Sequence, residues 1–303
     1  MKVIVFGHVD TGKSTLCGQI LVNTVDEYKQ IYQQRKDIDK KILSNLLDIY
    51  EEEQVRCKTS EFSSFDVEYG KNSYTFIDTP GHKIYIRQYI EALQQHNLTC
   101  GLLILSAHGN EFESGFEKGT TKEYITLAKC MGVKNLIVAI NKMDMVNYDK
   151  TRYEDIKTKI SNYIPIFKFK KVEYISTSGT NNVGIFDTNG LFDILSKYNE
   201  ITEKVHTICS SLGIVDTVNI KLQIFECKNI ITSGFSCIAH FISENEPVEA
   251  EVMVENIIGK VFAKKGEIVE TVCKFKYPFA INLNTKILFR TSDITIGCGI
   301  VYK

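Results

Sequence analysis

No stretch of the 303 residues approaches the roughly 18 apolar residues that a membrane-spanning helix needs, so no transmembrane span is expected. The formal net charge is −1, which excludes a global basic field and leaves any contact with nucleic acid local. No Cys-x-x-Cys pair occurs among the nine cysteines. An odd, scattered set reads as reduced thiols, mostly small core residues, in a cytosolic compartment. Tryptophan is absent while Lys, Ile, Asn and Tyr abound, which reads as a coding bias rather than a functional sign. There are no internal repeats and no low-complexity tail. The chain opens on a charged residue and a strand, with no room for a signal peptide. A cytoplasmic protein is expected (in the host cytoplasm if the source is viral).

What is present describes a globular chain, 44% hydrophobic and 24% charged, of a length that suits two domains. Apolar strand candidates lie at Lys2–Phe6, Phe62–Val67, Tyr74–Ile77, Leu102–Ser106, Leu136–Ile140 and Glu173–Ser176. Helical spacing falls between most of them, as at Glu123–Cys130 and Tyr153–Tyr163. That alternation predicts an α/β domain with a mainly parallel sheet over residues 1–205. The polar stretch Asp26–Glu53 interrupts it and reads as an inserted, solvated helix or helix pair. From about Val218 the pattern changes to short alternating runs, such as Val218–Phe225, Phe235–Phe241 and Val248–Val254. These predict a small all-β barrel or sandwich over 215–303, with a linker near 200–215.

Chemistry concentrates in three short stretches. Gly7-His8-Val9-Asp10-Thr11-Gly12-Lys13-Ser14-Thr15 fits G-x-x-x-x-G-K-[ST] between a strand and a helix. In that setting the glycines let backbone N–H groups turn towards phosphate oxygens at a helix N-terminus. Lys13 would neutralise the β- and γ-phosphates and Ser14 would ligate Mg²⁺. Asp78-Thr79-Pro80-Gly81-His82 follows a strand. Asp78 suits Mg²⁺ through a water, the Gly81 amide can approach a γ-phosphate, and His82 could orient the attacking water. Asn141-Lys142-Met143-Asp144 selects the base. The Asp144 carboxylate can accept from both N1–H and the exocyclic amine of guanine, a donor pair adenine lacks. Lys142 can lie along the base, and Asn141 can tie this loop to the phosphate loop. Ser178 and Gly179, after the sixth strand, could offer amides to guanine O6. The ligands implied are GTP or GDP and Mg²⁺.

Together these motifs resemble the translational GTPases, within them the class of elongation factor 1-alpha, the GTPase subunit of the eukaryotic release factor and the ribosome-rescue GTPase. Histidine after Asp-x-Pro-Gly separates that class from small signalling GTPases. The stretch Ser106–Gly119 and the segment Glu51–Thr59 are most similar to the release-factor subunit. The resemblance implies a P-loop GTPase domain followed by β-barrels, and it makes Thr59 the switch-one threonine that closes on Mg²⁺. Two positions depart from the elongation-factor pattern: Lys58 stands where the isoleucine of an apolar gate is usual, and Cys57 replaces a glycine. A Cβ at 57 predicts weak ordering of switch one and slow intrinsic hydrolysis.

The tail resembles the last barrel of such proteins, with the middle, tRNA-holding barrel missing. The resemblance thus implies a monomeric GTPase that works on the ribosome with a tRNA-mimicking release-type or rescue factor. The Lys168-Phe169-Lys170-Lys171 cluster reads first as a solvated loop, with a local ribosomal RNA contact as the alternative. A GTP- or GDP-binding regulator or decoy with little turnover is the alternative. Delivery of aminoacyl-tRNA fits less well.

Overall fold

Runs of aliphatic residues form the strands of the first unit: β1 (Lys2–Phe6), β2 (Ser63–Tyr69), β3 (Asn72–Asp78), β4 (Cys100–Ser106), β5 (Asn135–Asn141) and β6 (Lys171–Ser176). They form one sheet in the order β2-β3-β1-β4-β5-β6. The computed structural model describes residues 1–47, 62–95, 98–199, 211–227, 230–243, 246–291 and 294–303. Every residue of β4 is buried, and β5 is buried from its second residue on, as expected of parallel strands covered on both faces. β1, β3, β4, β5 and β6 run parallel. β2 pairs antiparallel with β3 through a tight turn, so the edge hairpin is the one departure from a parallel sheet.

Among the described residues, the longer α-helices beside these strands, with one short one, are α1 (Lys13–Thr24), α2 (Asp26–Arg35), α3 (Ile42–Asn45), α4 (Ile86–Gln95), α5 (Thr121–Cys130), α6 (Lys150–Tyr163) and α7 (Leu191–Asn199). Alternation along β1 divides them. Val3 and Val5 join Leu16 and Ile20 of α1 and Leu191 and Leu195 of α7 in one cluster. Phe6 points the other way and meets the Tyr89 ring of α4 at 5.7 Å, and Tyr89 meets Tyr124 of α5 at 4.6 Å.

The insertion is only partly a solvated face. α2 buries nothing, but α3 buries Ile42 and Leu43. Residues 48–53 of the insertion lie outside the described residues, as do 200–210 of the linker expected near 200–215; residues 211–215 already belong to the first strand of the second unit.

From Ser211 on, the regular elements of the second unit are strands: β7 (Ser211–Ile224), β8 (Ile231–Thr232), β9 (Phe235–Ser243), β10 (Glu246–Ile257), β11 (Phe262–Ala263), β12 (Ile268–Asn282), β13 (Lys286–Arg290) and β14 (Thr295–Tyr302). Six of these close into an antiparallel barrel in the order β10-β12-β7-β14-β13-β9, while β8 and β11 form a separate two-stranded pair. Alternate residues along β10, such as Ala250, Val252 and Val254, face inward among Val218, Ile220, Leu222, Phe241, Phe275 and Phe289. Of the two expected architectures, the barrel is the one observed.

Candidate functional site

The turn from β1 into α1 carries the phosphate-loop residues, and its backbone explains its glycines. Gly12 has φ +88°, and a Cβ there would sit 2.5 Å from the Asn141 amide nitrogen. Asp10 also has positive φ, 62°, a conformation that aspartate tolerates better than most residues. Lys13 is nearly buried, with its ammonium on the His8 carbonyl at 2.8 Å. Burial pushes its pKa down, and the buried Asp78 carboxylate opposes that shift. Gly81 leaves room for the ammonium: a Cβ at 81 would lie 2.5 Å from Lys13 Nζ.

A cavity of about 450 Å³ opens beside this loop, lined among others by Lys13, Ser14, Lys41, Gly81, His82, Glu111 and Lys142. Val9, Asp10, Gly12 and Thr15 complete its phosphate-loop wall. A volume of this order is usual for a small-ligand pocket. His82, half-buried, accepts a 3.3 Å hydrogen bond from the Ile84 amide on Nδ1. That assigns the proton of the neutral ring to Nε2, which leaves Nε2–H as a donor.

Asp78 is fully buried at the end of β3, and its charge is felt by Lys13. Mg²⁺ prefers a few oxygen donors completed by water and phosphate. The Asp78 carboxylate and the Ser14 hydroxyl at the head of α1 fit that preference. No group of three or more His, Cys, Asp or Glu that could hold a metal ion occurs among the described residues, here or elsewhere. Thr59, with Cys57 and Lys58, lies outside the described residues.

Asn141, at the end of β5, joins the loops as expected. Its Nδ2 donates to the Thr11 carbonyl at 3.0 Å, and its Oδ1 accepts from the Gly179 amide at 3.0 Å and the Thr177 hydroxyl at 3.3 Å. Lys142 follows with φ +59°, and Asp144 sits half-buried in the turn Met143–Val146.

One expectation needs correction, and two phosphate-loop side chains are placed away from the cavity. The His8 ring turns away from the cavity, rests against Gly115 and Gly119, and lies 3.0 Å from Thr120 Oγ1 through Nδ1. Its carbonyl accepts from Lys13 Nζ and Thr11 Oγ1 within the phosphate loop; burial first, then Lys13, holds its pKa below the usual histidine value. The Gly179 amide is taken by Asn141, and the Ser178 amide donates to the Val183 carbonyl at 3.0 Å. Neither therefore points to guanine O6 here; their place is to brace Asn141. Thr11 is likewise turned inward, its hydroxyl on the His8 carbonyl at 3.0 Å.

Other residues of the site carry no motif signal. Glu111 accepts from Ser106 Oγ at 2.6 Å and Lys142 Nζ at 2.8 Å. Burial raises its pKa, but those two hydrogen bonds outweigh it and hold the carboxyl below the ordinary value. Lys41 and Ser44 reach the cavity from the inserted segment. Nothing in their spacing announces this, because the fold alone brings them to the phosphate loop.

With that geometry described, three comparisons bear on it. The sequence profile of the elongation factor Tu GTP binding domain matches residues 1–239. Elongation factor 1-alpha of Caldivirga maquilingensis is 37% identical over 200 residues, 62% of this chain and 45% of that protein. The eukaryotic peptide chain release factor GTP-binding subunit of Zygosaccharomyces rouxii is 38% identical over 200 residues, 61% of this chain and 30% of that protein. The chain thus spans less than half the length of these curated relatives. Among solved structures, the GTP-bound GTPase-like domain of S. cerevisiae Ski7 superposes with a TM-score of 0.77 at 13% identity. That match covers 100% of this chain and 97% of the other, and it speaks to the fold.

Proposed function

The chain belongs to the family of the elongation factor Tu GTP binding domain, and from that premise we propose that it hydrolyses GTP on the ribosome with a tRNA-shaped release or rescue factor. One observation carries the nucleotide reading. Asn141 bonds to Thr11 of the phosphate loop and to Gly179 behind the base loop, so the two motifs needed for a guanine nucleotide form one unit. Lys13 neutralises the phosphates, Ser14 and Asp78 hold Mg²⁺ with Thr59 as the third expected donor, and Asp144 reads guanine. Bound Mg²⁺ would offset the charge of the β- and γ-phosphates. His82 places the water for in-line attack, with Nε2–H as the group available to it.

Termination or rescue is favoured over tRNA delivery by the barrel that follows the first unit, taken as the last barrel of the family and not the middle, tRNA-holding one, and by the likeness of Ser106–Gly119 to the release-factor subunit. Lys168, Lys170 and Lys171 are exposed and suited to a local ribosomal RNA contact. Cys57 motivates the second reading, a nucleotide-binding regulator with little turnover.

Single-turnover GTP hydrolysis, with and without ribosomes and a class-one release factor, decides between them. Stimulation that falls about a hundredfold or more in His82→Ala supports the enzyme. Absence of stimulation in the parent protein supports the regulator.

A further inference from the structure

Thr120 and Tyr124 stand one helical turn apart at the start of α5, and both reach the loop after β3. The Tyr124 hydroxyl donates to the Pro80 carbonyl at 3.2 Å and, as the longer arm, to the His82 carbonyl at 3.4 Å. Thr120 Oγ1 donates to the intervening Gly81 carbonyl at 3.2 Å. Three consecutive carbonyls are therefore held from one helix. The same Thr120 oxygen lies 3.0 Å from His8 Nδ1, so it touches the phosphate loop as well.

Both side chains are rigidly placed. Tyr124 is wholly buried and Thr120 nearly so. The Tyr124 ring meets Tyr89 edge-on at 4.6 Å, and the Tyr89 hydroxyl donates to the Tyr124 carbonyl at 3.1 Å. A hydrogen bond between groups fixed in advance loses little conformational entropy when the loop takes its place.

The Pro80 C=O and the Gly81 N–H belong to one planar trans unit and point in opposite directions. A donor that fixes the carbonyl therefore fixes the direction of the amide. We propose that Tyr124, assisted by Thr120, is a positioning residue for the triphosphate: by holding the Pro80–His82 carbonyls it turns the Gly81 amide to the γ-phosphate. This rests on the reading of Gly81 as the γ-phosphate amide. Neither residue is among those that line the cavity, and the two carbonyls that the Tyr124 hydroxyl holds belong to the loop after β3, not to the phosphate loop. The effect of that hydroxyl falls on GTP and not on GDP.

The test compares dissociation constants for GDP and for a non-hydrolysable GTP analogue in the full chain with Mg²⁺. Tyr124→Phe keeps the ring and removes only the hydroxyl. GDP affinity is expected to stay within about twofold, while analogue affinity falls about three- to tenfold, the loss typical of one or two neutral hydrogen bonds. Thr120→Val, of similar shape, is expected to shift the same ratio in the same direction. A ratio unchanged or raised, or equal losses for both nucleotides, overturns the proposal. Should Tyr124→Phe fail to fold, the ratio in Thr120→Val decides by the same criterion. A parent protein that binds neither nucleotide sinks the GTPase reading and this proposal together. A parent that binds both, with variants of unchanged ratio, removes the positioning role alone.

Discussion

Arg152 grips Glu113 with two parallel hydrogen bonds of 2.8 and 3.0 Å, and with its remaining donors holds the Ala107 and Gly109 carbonyls at 3.0 and 2.9 Å. One side chain on α6 thereby fixes the segment that leads to Glu111 and the cavity. The hydrogen bonds from Arg152 draw the Glu113 carboxyl from its ordinary 4.5 to about 2, against a smaller opposing effect of burial. The folded value lies below the unfolded one, so this stabilisation is fully present above about pH 4.5 and is lost as the pH falls towards 2. Both side chains are less than a third exposed, 19% and 28%, so solvent screening reduces the effect without removing it. Glu113→Gln is expected to cost about 1–2 kcal/mol at neutral pH. The gap from the parent should close on acidification, as read by urea unfolding at a series of pH values; a gap independent of pH would contradict the assignment.

At the scale of elements, α1 and α3 meet backbone to backbone. A Cβ on Gly18 would fall 1.8 Å from the Leu43 carbonyl oxygen. In an open helix, Gly→Ala gains up to about 1 kcal/mol from propensity. Here the sign should reverse: Gly18→Ala is expected to lose about 1–3 kcal/mol, because a main-chain carbonyl cannot step aside as a flexible side chain would. Thermal unfolding of the variant checks this. The same contact shows what was legible beforehand. β1, β4 and β5 announce themselves as apolar runs, and Gly12, Lys13 and Asn141 stand in fixed local patterns. The packing of α3 on α1 leaves no trace in spacing, since Ile42 and Leu43 are two apolar residues in a polar stretch. Thr120, Tyr124, Glu111 and Arg152 were illegible for a related reason. Each acts across 31 to 112 residues of sequence on a partner that only the folded sheet brings near. For His8, motif position foretells where the carbonyl lies but not where the ring goes.

Across the whole molecule the two units solve the problem of strand edges differently. The six-stranded sheet ends in β2 and β6, both of which carry exposed residues along their length. The barrel has no terminal strand, because β10 pairs with both β9 and β12 and the ladder returns on itself. Removing any one of its six strands breaks two ladders at once, whereas β2 or β6 can peel away by breaking one. Amide hydrogen exchange should therefore begin at β2 and β6 and progress inward, while the six barrel strands become exchangeable together, with a single opening free energy. Strand-by-strand exchange within the barrel would contradict this. A ring of hydrogen bonds, like a knotless loop of rope, has no end from which to unravel.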